Sequence, residues 1–204
     1  MLIQYFDLKG KTIGIVGGGR IGMNMVRIAH GFQMNVLVYD MRKDPQLAKD
    51  LGFDYADLHD LLARSDIISL HVPYNPQTHH LINTESLQHM KKGAYLINTA
   101  RGGVVDTDAL LQGLDEGVIA GAGLDVLEGE CDIQEEKQLL TKHFQQTCNL
   151  KTVLQDHAIM KHPKVIVTPH NAFNSHEALV RIMDTTIANI KAFAEGRVEN
   201  SVLK

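Results

Sequence analysis

Three glycines near the start of the chain have the spacing of a phosphate-binding loop. The stretch IGIVGGGRIG holds Gly17, Gly19 and Gly22 as G-x-G-x-x-G, directly after an apolar run rich in β-branched residues. In such a loop the first glycine allows a tight turn, the second lets the backbone approach a pyrophosphate and the third lets the next helix pack closely. The helix N-terminus adds N–H donors and a partial positive charge. The pattern predicts a pyrophosphate site for a dinucleotide; the alternative is an ordinary glycine-rich turn.

A carboxylate follows at the distance at which such a site holds a ribose. Asp40 lies eighteen residues beyond Gly22, at the end of the second predicted strand, where it would accept hydrogen bonds from ribose hydroxyls. A 2′-phosphate beside this carboxylate would bring like charges together. Asp40 therefore favours NAD over NADP, although Arg42 and Lys43 stand close behind it and weaken that preference. The alternative is an ordinary aspartate at a strand end.

Three residues from distant parts of the sequence have the chemistry needed to bind a small acid and move a proton. Arg101, flanked by Gly102 and Gly103, carries a planar fork of donors that can hold a carboxylate and polarise a neighbouring carbonyl. His170 can exchange a proton with a hydroxyl or carbonyl oxygen. Glu130 can orient that histidine and favour its protonated form. Taken singly, a strand-end arginine is often a surface ion-pair partner, and a lone histidine is often structural.

The elements that must position these residues are short apolar strands alternating with helical patterns. The predicted strands are Lys11–Val16, Val36–Tyr39, Asp66–Val72, Ala94–Asn98, Ile119–Leu124 and Val165–Val167. The predicted helices are Arg20–His30, Gln46–Leu51, Leu58–Ala63, Thr84–Met90, Asp106–Glu116 and a long last helix opened by Asn174. This alternation predicts an α/β fold with a doubly wound parallel sheet. Ligands of such sheets bind at the carboxyl ends of the strands, which is the edge where the residues above are expected to meet.

Two helices carry apolar stripes that are expected to be buried. In the first helix the stripe consists of Ile21, Met25, Ile28 and Ala29. In the last helix it consists of Leu179, Met183, Ile187, Ile190 and Ala194, with Asn174 and Glu177 as a predicted capping box. Residues 131–161 show no strand pattern and are expected to form a polar, loosely helical excursion over the surface.

Composition narrows the class of protein further. The 204 residues are 44% hydrophobic and 22% charged with a net charge of −4, which is typical of a folded domain and does not favour a nucleic-acid partner. No apolar run approaches the roughly 18 residues of a membrane span, and no signal peptide is recognisable, so no membrane partner is expected. The two cysteines, Cys131 and Cys148, do not form a disulfide pattern, which favours the cytoplasm. No histidine spacing matches a metal site, so His79, His80, His157 and His162 are expected to be solvated or helix-terminal.

Several motifs together resemble those of one enzyme family. They are GGGRIG, VYD, HVPYNPQTHHLIN, LINTARGGVVDTDAL, GAGLDVLEGE and VIVTPHNAF. In this combination the chain resembles the D-isomer-specific 2-hydroxyacid dehydrogenases, and LDVLEGE and the insertion before TPH are most similar to the D-lactate dehydrogenase branch. The resemblance implies a Rossmann-type NAD-binding domain, with Arg101 binding the substrate carboxylate and carbonyl. It implies His170 as the acid/base and Glu130 as its partner, in reversible hydride transfer between NADH and a 2-oxo acid to give a D-2-hydroxy acid.

The resemblance also implies where the cofactor lies. Arg20 and Ile21 would meet the pyrophosphate and Asp40 the adenosine ribose. Val72 and Pro73 would lie along the adenine side. Thr99, Ala100 and Asp125 would lie near the nicotinamide.

One departure from the family concerns what precedes the glycine loop. Family members carry most of a substrate domain there, and in this chain it is largely missing. Residues 1–10 are therefore interpreted as a linker remnant, 11–197 as the NAD-binding domain and 198–204 as a C-terminal tail. Two functions follow: an NAD-dependent D-2-hydroxyacid dehydrogenase, or its cofactor-binding half, and a non-catalytic NAD(H)-binding and dimerisation module. The resemblance implies a homodimer in both cases.

Overall fold

The computed structural model describes residues 6–129 and 150–201, except the side chains of residues 152 and 153. Within the chain, contacts define two compact units, Met1–Pro169 and His170–Lys204. The first contains the sheet and the second the last long helix. The predicted boundaries of a single domain over 11–197 stay a prediction.

The first unit is built on a parallel sheet flanked by helices. Its strands are β1 (Thr12–Val16), β2 (Asn35–Tyr39), β3 (Asp54–Tyr55), β4 (Ile67–Leu70), β5 (Ala94–Asn98), β6 (Ile119–Leu124) and β7 (Val165–Val167). Its helices are α1 (Arg20–Gly31), α2 (Pro45–Leu51), α3 (Leu58–Arg64), α4 (Thr84–His89), α5 (Thr107–Asp115) and α6 (Leu150–Lys161), with a 3₁₀ turn at Gly102–Val104. The strand order is β3-β2-β1-β4-β5-β6-β7, and every pairing is parallel. The prediction of a doubly wound parallel α/β sheet is confirmed.

The strand order reverses direction at β1, and this reversal determines where a ligand can bind. From β1 the chain builds outward to β2 and β3, and then returns to place β4 on the other side of β1. The crevice between the carboxyl ends of β1 and β4 is thus the topological switch point of the sheet. The glycine loop (residues 17–22) follows β1 directly and lies at this crevice.

The buried residues form two clusters because helices cover the sheet on both faces. One cluster joins α1 residues such as Val26 to Val36 and Val38 of β2. The other joins residues of α3 to α6 to β4, β5 and β6 and to Val16 and Leu37 on the opposite face of β1 and β2. Helix α3 packs closely on β1 at Gly14, where an added Cβ would lie 2.3 Å from both Leu61 Cδ2 and Ser65 Oγ of the α3 region. A side chain at Gly14 would therefore separate α3 from the sheet.

The predicted buried stripe of α1 is confirmed at Ala29, which is buried, and is wrong at Ile21 and Ile28. The buried residues of α1 are Gly22, Met23, Val26 and Ala29, whereas Ile21 and Ile28 are 69% and 52% exposed. Apolar residues occur at helical spacing on two faces of α1, and the sheet packs against the face that carries Gly22, Val26 and Ala29. The face that carries Ile21, Ile28 and the exposed Phe32 remains on the surface.

The segment interpreted as a surface excursion also differs in its last part. Helix α6 covers Leu150–Lys161, and its Ile159 is 1% exposed and belongs to the main core cluster. Asp156 of the same helix is buried and accepts a hydrogen bond from Gly129 N at 2.9 Å. The helical character predicted for this stretch is confirmed in α6, and its placement over the surface is wrong for the face that carries Asp156 and Ile159. Residues 131–149, with both cysteines, lie outside the described residues.

The second unit contains helix α7 (His176–Ala194). The cap is Ser175, whose hydroxyl oxygen accepts from Ala178 N at 3.1 Å, so the predicted capping box of Asn174 and Glu177 is wrong by one residue. The predicted stripe is exposed, from 40% at Leu179 to 64% at Ile190. An apolar stripe is buried only where another element packs on it. No helix among the described residues of either unit is long and apolar enough to cross a membrane.

Candidate dinucleotide and substrate site

The glycine loop has the backbone shape that its sequence predicts. Gly17 has φ +105°, a conformation that side-chain-bearing residues rarely adopt, and a Cβ there would lie 2.7 Å from His71 O. At Gly22 a Cβ would lie 2.0 Å from Gly17 O, so only glycine lets α1 begin this close to β1. At Gly19, the N-cap of α1, a Cβ would meet no described atom within 4 Å. The loop is tight at both ends and open at its centre, which fits a pyrophosphate.

An open groove of about 420 Å³ runs from this loop along α1. Its lining residues are Gly18, Gly19, Arg20, Met23, Asn24 and Arg27. Arg20 is the exposed first residue of α1, followed by the exposed Ile21, and the first turn carries no acidic side chain. The N–H donors of the helix end and the charge of Arg20 make this part of the groove attractive to an anion.

Asp40 is fixed beside the loop by two backbone donors. Its Oδ2 accepts from Gly18 N at 2.7 Å and its Oδ1 accepts from Arg42 N at 2.8 Å. The carboxylate follows directly after β2 and remains partly accessible. Each oxygen keeps a further lone pair, which is the arrangement needed to accept from two ribose hydroxyls.

The other wall of the crevice is the end of β4. His71 N donates to Val16 O at 2.7 Å, and His71 Nε2 lies 2.9 Å from Ser69 Oγ. Burial lowers the pKa of His71, so its ring stays uncharged at neutral pH. Val72 is half-buried and Pro73 is exposed, so both can contact a flat ring placed in the crevice.

Arg101 lies on a turn that is held from beneath by a buried asparagine. Asn98, 1% exposed at the end of β5, accepts from Ala100 N and donates to Arg101 O, each at 3.0 Å. Thr99 is exposed, and so is Arg101, whose Nη1 donates to Ala100 O at 2.7 Å. We call residues 98–103 the Arg101 turn. It presents a guanidinium at the carboxyl edge of the sheet on a rigid backbone.

Asp125 closes the end of β6. It is 4% exposed, its N–H donates to Asn98 O at 2.9 Å, and its carboxylate accepts a hydrogen bond from Thr168 Oγ1. Asp125 therefore links β5, β6 and the segment after β7 at the edge where the other predicted residues lie.

The other two residues predicted to be catalytic, Glu130 and His170, do not lie among the described residues of the first unit. Glu130 lies outside the described residues. His170 is the first residue of the second unit, with φ +48° and its ring centroid 6.2 Å from that of Phe173. The structure thus brings the glycine loop, Asp40, the Arg101 turn and Asp125 to one edge of the first unit. His170 belongs to the second unit.

Sequence reasoning missed one polar cluster at this edge. His80, expected to be solvated, donates from Nε2 to Glu128 Oε1 at 2.6 Å, and Thr107 Oγ1 donates to Glu128 Oε2 at 2.6 Å. No local pattern could have predicted a contact between residues that are 48 positions apart. No group of three or more potential metal ligands occurs in the part of the chain that the structure describes.

Comparison with known proteins assigns the family. The profile of the D-isomer specific 2-hydroxyacid dehydrogenase NAD binding domain matches residues 2–172. The chain belongs to this family. Its cofactor is NAD, and the glycine loop fits that cofactor because side chains at Gly17 and Gly22 would collide with backbone.

Three relatives illustrate the similarity. The glyoxylate reductase of Thermococcus litoralis is 40% identical over 193 residues, which are 95% of this chain and 52% of the relative. The solved D-lactate dehydrogenase of Aquifex aeolicus, complexed with NAD and lactic acid, is 42% identical with a TM-score of 0.83, covering 95% of this chain and 56% of that one. The pyruvate reductase of Chlamydomonas reinhardtii is 38% identical with a TM-score of 0.84, covering 96% and 57%. The chain therefore spans about half the length of the relatives it matches.

Proposed function

We propose that this chain is the cofactor-binding and catalytic part of an NAD-dependent dehydrogenase that interconverts a 2-oxo acid and a D-2-hydroxy acid, of D-lactate type. The observation that carries this proposal is the Arg101 turn. Its guanidinium is exposed at the carboxyl edge of the sheet while Asn98 fixes the backbone beneath it. Relatives named for glyoxylate, pyruvate and D-lactate support a short 2-oxo acid as the substrate.

In this proposal each residue has one role. Arg101 binds the substrate carboxylate through paired hydrogen bonds and polarises the adjacent carbonyl. His170 donates a proton to the carbonyl oxygen during reduction and takes it back during oxidation, a form of catalysis that contributes about 10²–10⁴-fold. Glu130 favours the protonated form of that histidine. Bound NADH supplies the hydride.

The cofactor contacts are proposed in the same way. The glycine loop with Arg20 and Ile21 holds the pyrophosphate, and Asp40 accepts from the adenosine ribose. Val72 and Pro73 contact the adenine, and Thr99, Ala100 and Asp125 lie at the nicotinamide. The tight ends of the loop and the two N–H bonds that fix Asp40 support this arrangement.

A second function is favoured by the exposed face of α1. Ile21, Ile28 and Phe32 are 69%, 52% and 54% exposed and lie along one side of the helix. An apolar stripe of this kind suits contact with a second copy of the chain. The alternative is thus a non-catalytic NAD(H)-binding module that forms a homodimer. A homodimer and a cytoplasmic location are proposed for the dehydrogenase as well.

NADH oxidation by the 204-residue chain with a panel of 2-oxo acids, pyruvate and glyoxylate first, separates the two functions. The dehydrogenase proposal predicts turnover that Arg101→Ala abolishes while NADH binding persists. The matched control is Arg64→Ala, which removes an exposed arginine of α3 paired with Asp60. NADH binding without turnover of any 2-oxo acid would contradict catalysis by this chain alone and support a cofactor-binding half or the binding module.

A further inference from the structure

Glu128 joins three segments at the carboxyl edge of the sheet. Its Oε1 accepts from His80 Nε2 at 2.6 Å, and its Oε2 accepts from Thr107 Oγ1 at 2.6 Å and from Thr107 N at 3.3 Å. His80 belongs to the loop after β4, Thr107 begins α5, and Glu128 follows β6. Burial alone would raise the pKa of Glu128, but the hydrogen bonds from Thr107 and His80 outweigh it and lower the pKa. We call these three residues the Glu128 bridge.

The residues at the end of the Arg101 turn, Gly102 to Val104, lie between two loops that the Glu128 bridge connects. On one side His80 N donates to Gly103 O at 2.9 Å, and Ile82 N donates to Val104 O at 3.1 Å. On the other side Gly102 touches the backbone just before Glu128, since a Cβ on Gly102 would lie 1.9 Å from Leu127 O. The turn is therefore packed between the loop after β4 and the segment after β6, and the Glu128 side chain links the two through its hydrogen bond with His80.

His80, one member of the Glu128 bridge, has an uncommon backbone conformation. His80 has φ +49°, in the left-handed region that few non-glycine residues occupy, although histidine is found there more often than most. A conformation of this kind persists when surrounding contacts over-determine it. The contacts of His80 include its backbone bond to Gly103, its side-chain bond to Glu128 and the stacking of its ring on that of His79, with the centroids 3.8 Å apart.

We propose that Glu128 is a positioning residue, which holds the Arg101 turn so that the guanidinium meets the substrate carboxylate in a fixed orientation. The inference rests on the proposed dehydrogenase function. Glu128 acts through His80 and Thr107 and has no contact with the reacting atoms in this role. A misplacement of about 1 Å in a positioned group can lower a rate by about a hundredfold, so a side chain outside the reaction centre can control turnover.

The decisive variant is Glu128→Ala, with Asp66→Ala as its matched control. Asp66 is also a partly buried carboxylate with a lowered pKa, and it accepts from Lys91 Nζ at 2.7 Å and from Thr12 N at 2.9 Å. It precedes β4, at the opposite edge of the sheet. Glu128→Ala should lower kcat/KM for the 2-oxo acid by about ten- to a hundredfold, with the Kd for NADH unchanged. Asp66→Ala should leave kcat/KM unchanged.

Two further variants separate positioning from general stability. Glu128→Gln keeps the shape and one oxygen that accepts from Thr107, and its amide nitrogen can donate to His80 Nε2 when that ring carries its proton on Nδ1, so it should recover most of the lost kcat/KM. His80→Ala combined with Glu128→Ala should be no slower than Glu128→Ala alone, because both changes break the same contact.

Amide hydrogen exchange tests the Glu128 bridge without relying on turnover. Glu128→Ala should reduce the protection of the Ile82 and Val104 amides, and Asp66→Ala should not. Unchanged kcat/KM and protection in Glu128→Ala would overturn the inference, as would equal losses in both variants. A wild-type chain that binds NADH but reduces no 2-oxo acid would contradict catalysis by this chain alone, and the exchange experiment would then decide whether Glu128 holds the Arg101 turn.

Discussion

Replacement of Asp40 by alanine should shift the cofactor preference of the chain from NADH toward NADPH. The carboxylate is bound by Gly18 N at 2.7 Å and by Arg42 N at 2.8 Å. These two bonds hold it beside the glycine loop, where the proposed ribose would lie against it. Any group on the 2′-oxygen must therefore meet its charge.

The magnitude follows from two opposing changes. Two unit charges 4 Å apart near a protein surface repel by about 4 kcal/mol. Because about 1.4 kcal/mol changes Kd tenfold, loss of the carboxylate should tighten NADPH binding by up to about a thousandfold. NADH loses hydrogen bonds to a charged acceptor, each worth about 1.5–3 kcal/mol. Together these changes should move the ratio of the two Kd values by at least about a hundredfold.

The assay is a direct titration of each reduced cofactor. The chain has no tryptophan, so the fluorescence of the reduced nicotinamide is read against a low protein background. Asp57→Ala is the control, because it removes the same charge from an exposed carboxylate paired with Lys43 at 3.3 Å. A ratio that moves by less than about tenfold, or equally in the control, would refute the placement of Asp40 at the ribose.

Three further predictions concern the loop, the crevice and the surface. Gly22→Ala should abolish NADH binding in the same titration while circular dichroism stays native, because its Cβ would lie 2.0 Å from a carbonyl of the loop; Gly31→Ala, which meets no described atom within 4 Å, should bind normally. Burial lowers the pKa of the His71 ring from its usual 6.5, so as the pH falls the ring is protonated in the unfolded chain before it is protonated in the folded chain. The buried neutral ring therefore contributes its full stability above pH 6.5, and this contribution is lost as the pH falls below that value. Urea unfolding across this pH range should show a smaller pH dependence in His71→Asn, and an unchanged one would contradict the assignment. Ile28→Glu should convert the proposed dimer to a monomer in light scattering, whereas His30→Glu, on an exposed part of the same helix, should not.

The sequence predicted those parts of the fold whose signal is local. Ala94–Asn98, Ile119–Leu124 and Val165–Val167 have the same bounds in the structure as in the prediction, because each is a short apolar run between polar or turn residues. The strand Asp54–Tyr55 was missed, since two residues are too few for a periodic pattern.

The candidate site likewise contains features that local spacing predicts and contacts that it does not. The glycine loop and Asp40 could be predicted because their spacing along the chain carries the chemistry. The link from His80 to Glu128 could not, because it depends on how two distant loops meet after the sheet has formed. The buried face of α1 was mistaken for a related reason: which of two apolar stripes is buried depends on the sheet, and not on the helix.

The shortness of the outermost strands has a consequence for how this chain can associate. The two edge strands, β3 with two residues and β7 with three, offer few free backbone donors and acceptors to a strand from another chain. Proteins with short edge strands resist edge-to-edge pairing and the aggregation that it starts. A continuous sheet through two copies is therefore disfavoured, and the proposed contact between copies falls to side chains on the helices.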